Sequence, residues 1–290
     1  MDKSRDAVGV IGLGIMGSAM AASLLRAGYR VVGYDVLEKR RRDHRRAGGE
    51  VAGSCREVGT GVVICSLPSS DALLRTADEL VETAQPRIVI ETSTLPLEAK
   101  EAARRRLSSR GMILLDCPLS GTGSQARSRD LVVYASGERR SYRRIVPVLD
   151  AIARAHYHVG PFGTGTKTKI VANLLVAIHN VAAAEALVLA KKAGLDAKTT
   201  LKVIADGAGS SRMLQVRGPM MVKGDYSKAL MKLSLWRKDM DIIGAFARER
   251  GAATPLFDRT APIYDAATRG GAQRDTAAVY RVLESLKRKA

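Results

Sequence analysis

The segment that decides the fold is Val8–Tyr29, VGVIGLGIMGSAMAASLLRAGY. An unbroken apolar run, Val8 to Ile11, leads directly into Gly12-Leu13-Gly14-Ile15-Met16-Gly17, and a helix-forming stretch, Ser18 to Ala27, follows and closes at Gly28. Each glycine answers a different demand of a strand-to-helix turn. The first permits the tight turn, the second lets backbone approach a pyrophosphate, and the third lets helix pack closely on strand. A phosphate held there would meet the unpaired N–H groups and the positive dipole end of the helix. The segment therefore predicts a dinucleotide site at the head of an α/β domain.

Working outward, short β-rich runs alternate with charged helical stretches as far as Val159. The expected strands are Val8–Ile11, Arg30–Tyr34, Val62–Leu67, Arg87–Glu91, Met112–Asp116 and Leu131–Ser136. Most are continuous Val/Ile/Leu runs, the pattern of parallel strands buried on both faces. With helices such as Leu97–Ser109 between them, they predict a doubly wound, mostly parallel Rossmann sheet over residues 1–163. The second strand ends at Tyr34-Asp35. An acid at that point accepts hydrogen bonds from the adenosine ribose and repels a 2′-phosphate, which argues for NAD over NADP. Lys39, Arg40, Arg41 and Arg42 follow closely, so NADP stays possible.

The pattern changes at Gly160–Gly165, GPFGTG. A long helix is expected over Thr166–Ala193, ended by Gly194, with further helices at Lys198–Ala205, Ser227–Arg250 and Thr276–Lys289. Residues 164–290 are thus expected to form an all-α domain joined to the first by the long helix. At 1.5 Å per residue, about 28 residues reach roughly 42 Å, long enough to bridge two domains or enter a subunit interface. Lys169 and Asn173 stand four residues apart on that helix and share one face. A lysine in such a setting can exchange a proton with a substrate oxygen while an amide holds that oxygen or the lysine in place. A snorkelling lysine on an amphipathic helix is the plainer alternative.

Composition narrows the function classes. Hydrophobic residues make up 46% of the 290 and charged residues 26%, the profile of a folding chain. Lys and Arg number 47 against 29 Asp and Glu, a formal charge of +18, and the pI is near 10.2. One Trp, three Phe and eight Tyr offer little for base stacking, so the charge alone does not make a nucleic-acid protein. Runs such as Lys39–Arg46, Arg104–Arg106 and Lys287–Lys289 are expected on solvated helix faces, His44 among them on the surface. Cys55, Cys65 and Cys117 stand far apart without metal-ligand spacing, a pattern that fits a reducing cytoplasm. No signal peptide is expected. The uncharged stretch Ile170–Ala184 is short for a membrane span and contains Asn173, His179 and Asn180.

Five stretches in order resemble the β-hydroxyacid dehydrogenase family, which includes 3-hydroxyisobutyrate dehydrogenase and tartronate semialdehyde reductase. They are Gly12–Tyr29, ETSTLP at Glu91–Pro96, DCPLSGTGSQA at Asp116–Ala126, GTGTKTKIVANLL at Gly163–Leu175 and WRKDMDI at Trp236–Ile242. The resemblance implies reversible hydride transfer between a nicotinamide cofactor, NAD or NADP, and a small anionic β-hydroxy acid or its semialdehyde or keto form. It implies Lys169 as the catalytic acid/base and Asn173 as a support for the substrate. It also implies Ser120, Gly121 and Thr122 at the substrate carboxylate, with Lys238 closing over substrate and cofactor. Gly12, Leu13, Gly14, Ile15, Met16, Gly17, Asp35, Leu67, Pro68, Ser93, Thr94, Lys238 and Asp239 then line the cofactor. A homo-oligomer, dimer or tetramer, is expected.

Two departures stand out. The family usually reads Ser-Gly-Gly where this chain has Ser120-Gly121-Thr122, and often Lys-x-x-Asn-Asn where this chain has Ala172 before Asn173. Imine reductases of similar build usually replace the lysine, so Lys169 favours an alcohol or aldehyde over an imine. The alternative from another class is a non-catalytic dinucleotide-binding protein whose basic surface engages nucleic acid.

Overall fold

The structure is a computed structural model that describes residues 7–83, 85 and 87–286. By compactness the chain divides after Lys169 into two units. The first begins β1 (Ala7–Ile11), α1 (Ile15–Arg26), β2 (Arg30–Tyr34), α2 (Glu38–Arg46), β3 (Glu50–Val51), β4 (Val62–Cys65), α3 (Ser70–Val81), β5 (Ile88–Glu91), α4 (Leu97–Ser108) and β6 (Ile113–Asp116). These six strands form one sheet in the order β3-β2-β1-β4-β5-β6, with every pair parallel. The order reverses between β1 and β4, and in such sheets ligands bind at the carboxyl ends beside that switch point.

Continuous apolar strands follow from burial on both faces. Val8, Val10, Ile64, Ile88, Ile90 and Leu115 enter one core with Met20 and Leu24 of α1. Their alternates Val63, Cys65, Val89 and Leu114 enter the other, with Leu73 and Leu80 of α3 and Leu107 of α4. Burying each Leu or Ile contributes about 1.5–3 kcal/mol.

The unit continues with β7 (Leu119–Ser120), α5 (Gly123–Arg127), β8 (Val132–Ala135), α6 (Arg139–Ile152) and β9 (Ala155–His158). The expected strand Leu131–Ser136 is therefore the shorter β8, and it joins a separate three-stranded sheet rather than the main one. β7 pairs with it antiparallel and β9 parallel. The expected strand Val62–Leu67 stops at Cys65, because the chain turns away where Leu67 is held by Ser93.

His44 corrects another expectation. It is 6% exposed, because the inward face of α2 lays its ring on Gly33 and Gly49. A Cβ at either glycine would lie 2.5 or 2.1 Å from that ring. The rest of the basic run on α2 is largely engaged: Arg42 pairs with Glu38, Arg46 with Asp43, and Arg41 stacks over Tyr34. Lys287–Lys289 lie outside the described residues.

The second unit is helical: most of α7 (Thr164–Lys192), then α8 (Ala197–Asp206), α9 (Arg212–Lys223), α10 (Leu233–Glu249), α11 (Pro255–Arg269), a 3-10 turn at Thr276–Ala278 and α12 (Val279–Ser285). Two of these helices escape the sequence reading because Pro219 and Pro262 sit inside them. α10 starts at Leu233 rather than Ser227, since Asp275 holds the amides of Leu230 and Met231 in a turn at 2.7 and 3.0 Å. Asp275 is fully buried and also pairs with Arg217.

The core gathers Val181, Ala184 and Leu187 of α7 around Trp236, Met240, Phe257 and Tyr264. By length and composition α7 could cross a bilayer, but 44% of its most apolar window is buried within the protein. Asn180 is wholly buried and donates to the Tyr264 hydroxyl and to the Thr276 carbonyl, both at 3.0 Å.

Candidate active site

At the end of β1 the three turn glycines differ in what surrounds them. Gly12 has φ +90°, and a Cβ there would lie 2.2 Å from the Ser66 carbonyl oxygen. One at Gly17 would lie 1.8 Å from the Gly12 carbonyl oxygen. The chain itself demands both glycines. At Gly14 the nearest atom to such a Cβ is Arg40 Nη1, 3.9 Å away. Gly14 is also the N-cap of α1, and no side chain caps that helix. Its uncapped amides therefore stand behind an open, Cβ-free surface, which fits a pyrophosphate.

Asp35 closes the far side of the turn. It is 4% exposed. Its Oδ2 accepts from the Leu13 amide at 2.8 Å and from Arg40 Nη1 at 3.1 Å, and its Oδ1 accepts from the Leu37 amide at 2.8 Å. A carboxylate has about four acceptor positions, so Oδ1 retains capacity for a ribose hydroxyl. Leu13 itself is buried and contributes its amide, whereas Ile15 is 62% exposed and Met16 half-buried. Ile15 also packs on Gly123, where a Cβ would lie 2.3 Å from its Cγ2.

The next strand ends are tied together through Ser93, above a buried charge cluster that the sequence reading did not single out. Ser93 Oγ accepts from the Leu67 amide at 2.8 Å, and the Ser93 amide donates to Glu91 Oε1 at 2.9 Å. Thr94 is half-buried and Pro68 exposed. Beneath them lies Lys100, a side chain of α4 with no solvent exposure. Its Nζ is 2.6 Å from Glu91 Oε2, 2.8 Å from Asp116 Oδ1 and 2.7 Å from the Ser93 carbonyl oxygen. Burial alone would pull the lysine pKa down. The two carboxylates and their hydrogen bonds outweigh it, so the pKa lies above the ordinary value and Lys100 stays charged. One signal was available: Glu91 and Asp116 each close an otherwise apolar strand with a charge.

Ser120 is half-buried at the end of β7. Gly121 has φ +142°, and a Cβ there would lie 2.6 Å from Leu131 Cδ2, so glycine is required. Thr122, standing where the family usually has a second glycine, is occupied as the N-cap of α5. Its hydroxyl and Gln125 form a reciprocal capping box.

On α7, Lys167 is exposed and Lys169 half-buried. Within the second unit Asn173, 3% exposed, donates from Nδ2 to Asp239 Oδ2 at 3.1 Å. Lys238 Nζ lies 3.5 Å from Asp239 Oδ1 with its side chain 45% exposed. The structure thus brings Asn173, Lys238 and Asp239 together in the second unit. In the first it brings together the glycine turn, Asp35, Leu67 and Ser93.

Comparison with known proteins covers both units. Residues 7–160 match the family described as the NAD binding domain of 6-phosphogluconate dehydrogenase. Residues 163–283 match that described as NAD-binding of NADP-dependent 3-hydroxyisobutyrate dehydrogenase. The chain belongs to the β-hydroxyacid dehydrogenase family. An L-threonate dehydrogenase of Cupriavidus necator is 33% identical over 97% of each chain. The solved 3-hydroxyisobutyrate dehydrogenase of Mycobacterium tuberculosis, with L-serine, has a TM-score of 0.88 at 29% identity and covers 97% of this chain and 99% of its own. An imine reductase of Streptomyces aurantiacus has a TM-score of 0.65 at 22% identity, covering 96% and 99%, and shares the fold alone. As a member of the family, this protein is an NAD(P)-dependent hydroxyacid dehydrogenase.

Proposed function

We propose that this β-hydroxyacid dehydrogenase oxidises or forms a three- or four-carbon hydroxy acid, with Lys169 as the acid/base. The observation that carries this reading is Lys169 four residues before Asn173 on α7, in a chain that matches the family over both units. The relatives' names carry L-threonate and 3-hydroxyisobutyrate, and the solved one holds L-serine, each a carboxylate with a hydroxyl on the β-carbon. That shared chemistry defines the substrate class.

The bound nicotinamide supplies the hydride acceptor or donor. Lys169 takes the hydroxyl proton during oxidation and returns it to the developing alkoxide during reduction. A free lysine has a pKa of about 10.4, so the reductive direction asks less of it. Asn173, fixed by Asp239, orients the reacting oxygen. The Ser120 hydroxyl and the backbone N–H at Gly121 receive the substrate carboxylate, the Thr122 amide being taken by Gln125 Oε1 at 3.0 Å. Ser93, Thr94, Leu67 and Pro68 flank the nicotinamide ribose, and Asp35 takes the adenosine ribose and favours NAD. In this reading residues 1–163 bind cofactor, and 164–290 serve substrate and assembly.

A homo-oligomer of cytoplasmic location completes the proposal. Val171 and Leu189 on α7 are 58% and 70% exposed and eighteen residues apart, five full turns, so they share one face with the 46%-exposed Leu175. Exposed apolar side chains towards both ends of that face fit a second copy of the chain. Light scattering tests it, and a monomer would overturn it. The buried, unpaired cysteines suit a reducing compartment.

The deciding experiment combines Lys169→Met with a panel of L-threonate, 3-hydroxyisobutyrate and L-serine, assayed with NAD and NADP. Turnover of at least one acid by the wild type is expected. Loss of turnover in the variant is also expected, with NADH binding preserved; retained turnover would overturn the role of Lys169.

A further inference from the structure

A buried charge cluster is an expensive way to hold a core together. Desolvating the ions offsets most of their attraction, and apolar replacements are often as stable. Lys100, Glu91 and Asp116 are nonetheless all without solvent exposure. The Lys100 ammonium donates hydrogen bonds to Asp116 Oδ1 and the Ser93 carbonyl and pairs electrostatically with Glu91 Oε2 at 2.6 Å.

Asp116 has all four of its acceptor positions filled. Its Oδ1 accepts from Lys100 and from the Thr166 hydroxyl, the latter at 2.8 Å. Its Oδ2 accepts from the Thr166 amide at 2.7 Å and from Ser136 Oγ at 3.2 Å. Ser136 Oγ in turn accepts from the Gly165 amide at 2.9 Å. The first amides of α7, which have no partner within the helix, are therefore held by side chains at the ends of β6 and β8. Gly165 makes the approach possible, since a Cβ there would lie 2.3 Å from the Tyr134 carbonyl oxygen.

We propose that Thr166, acting through Asp116 and Lys100, is a positioning residue that sets the height and rotation of Lys169 relative to the cofactor-binding strand ends. Lys169 lies three residues beyond Thr166, a rise of about 4.5 Å and just under one turn. The other end of the same cluster holds the Ser93 carbonyl and, through Ser93, the Leu67 amide. One ammonium thus registers the start of α7 against the loops after β4 and β5. This inference rests on Lys169 being the acid/base.

The test uses the full-length enzyme. Thr166→Val removes the hydroxyl bond to Asp116 and leaves the amide bond in place; Ser136→Ala releases the Gly165 amide instead. A displacement near 1 Å costs about a hundredfold in rate, and this partial release is expected to lower kcat roughly tenfold. The KM for the hydroxy acid and the Kd for NADH are expected to stay within about twofold, with hydrogen exchange at the first turn of α7 accelerated. Thr166→Ser, which restores the hydroxyl, is expected to recover kcat to within about twofold.

Unchanged kcat in both Thr166→Val and Ser136→Ala would overturn the proposal. So would a loss of kcat matched by an equal loss of NADH binding, or no recovery in Thr166→Ser. Lys169→Met separates the two readings: an inactive Lys169→Met beside fully active Thr166→Val and Ser136→Ala removes the positioning role alone, whereas an active Lys169→Met removes both.

Discussion

Asp35 Oδ2 accepts the Leu13 amide at 2.8 Å, so the carboxylate proposed to receive the adenosine ribose also closes the phosphate-binding turn. Cofactor choice and turn geometry therefore rest on one side chain. Asp35→Asn keeps an oxygen for Leu13 but removes the charge that holds Arg40. The ratio of kcat/KM for NAD over NADP is expected to fall by about tenfold or more, 1.4 kcal/mol per decade. Steady-state kinetics with both cofactors checks it; an unchanged ratio would remove Asp35 and Arg40 from the discrimination.

The turn glycines separate folding from binding. Gly14→Ala meets nothing nearer than 3.9 Å and is expected to leave the Tm unchanged, while weakening NADH by about tenfold or more, 1.4 kcal/mol per decade. Gly17→Ala drives a methyl onto the Gly12 carbonyl and is expected to lower both Tm and NADH affinity. Fluorescence titration and thermal melts on the same samples distinguish them.

His44 makes stability depend on pH in one direction. Burial lowers its pKa below 6.5, only partly opposed by hydrogen bonds to the backbone of Val31 and Glu50. The unfolded chain therefore takes up a proton first as pH falls. This contribution is fully present above about pH 6.5 and is lost as pH drops towards the lower folded value. Denaturant unfolding at pH 7.5 and 5.5 is expected to show a larger loss for the wild type than for His44→Asn; equal losses would refute the assignment.

Asn173 and Asp239 are expected to be energetically coupled. Their 3.1 Å bond is buried, and a double-mutant cycle with Asn173→Ala and Asp239→Asn is expected to return about 0.5–3 kcal/mol of interaction energy. Additive losses in stability would show that the bond contributes nothing.

What the sequence made legible is what local geometry demands. Gly12, Gly14 and Gly17 announce the turn because three backbone requirements fall at fixed spacing, and the apolar strands announce a sheet covered on both faces. β7 and β3 are two residues each, too short for any period to show. α9 and α11 hide behind prolines that tertiary packing tolerates. His44 sits in a run of charges, and only the rotation of α2 turns it inward. The Lys100 cluster joins Glu91, Asp116 and Thr166 across 75 residues of chain, a meeting that only the sheet order creates.

The cysteines have a practical consequence. Cys55, Cys65 and Cys117 are all buried in the first unit. Burial pushes the Cys55 thiol up to about 12 and the other two upward as well. Thiolate, the form that reacts with alkylating reagents, is therefore scarce in the folded protein. The second unit contains no cysteine. The rate of labelling by a small maleimide is thus a native clock for transient opening of the cofactor-binding half alone, read without introducing any probe.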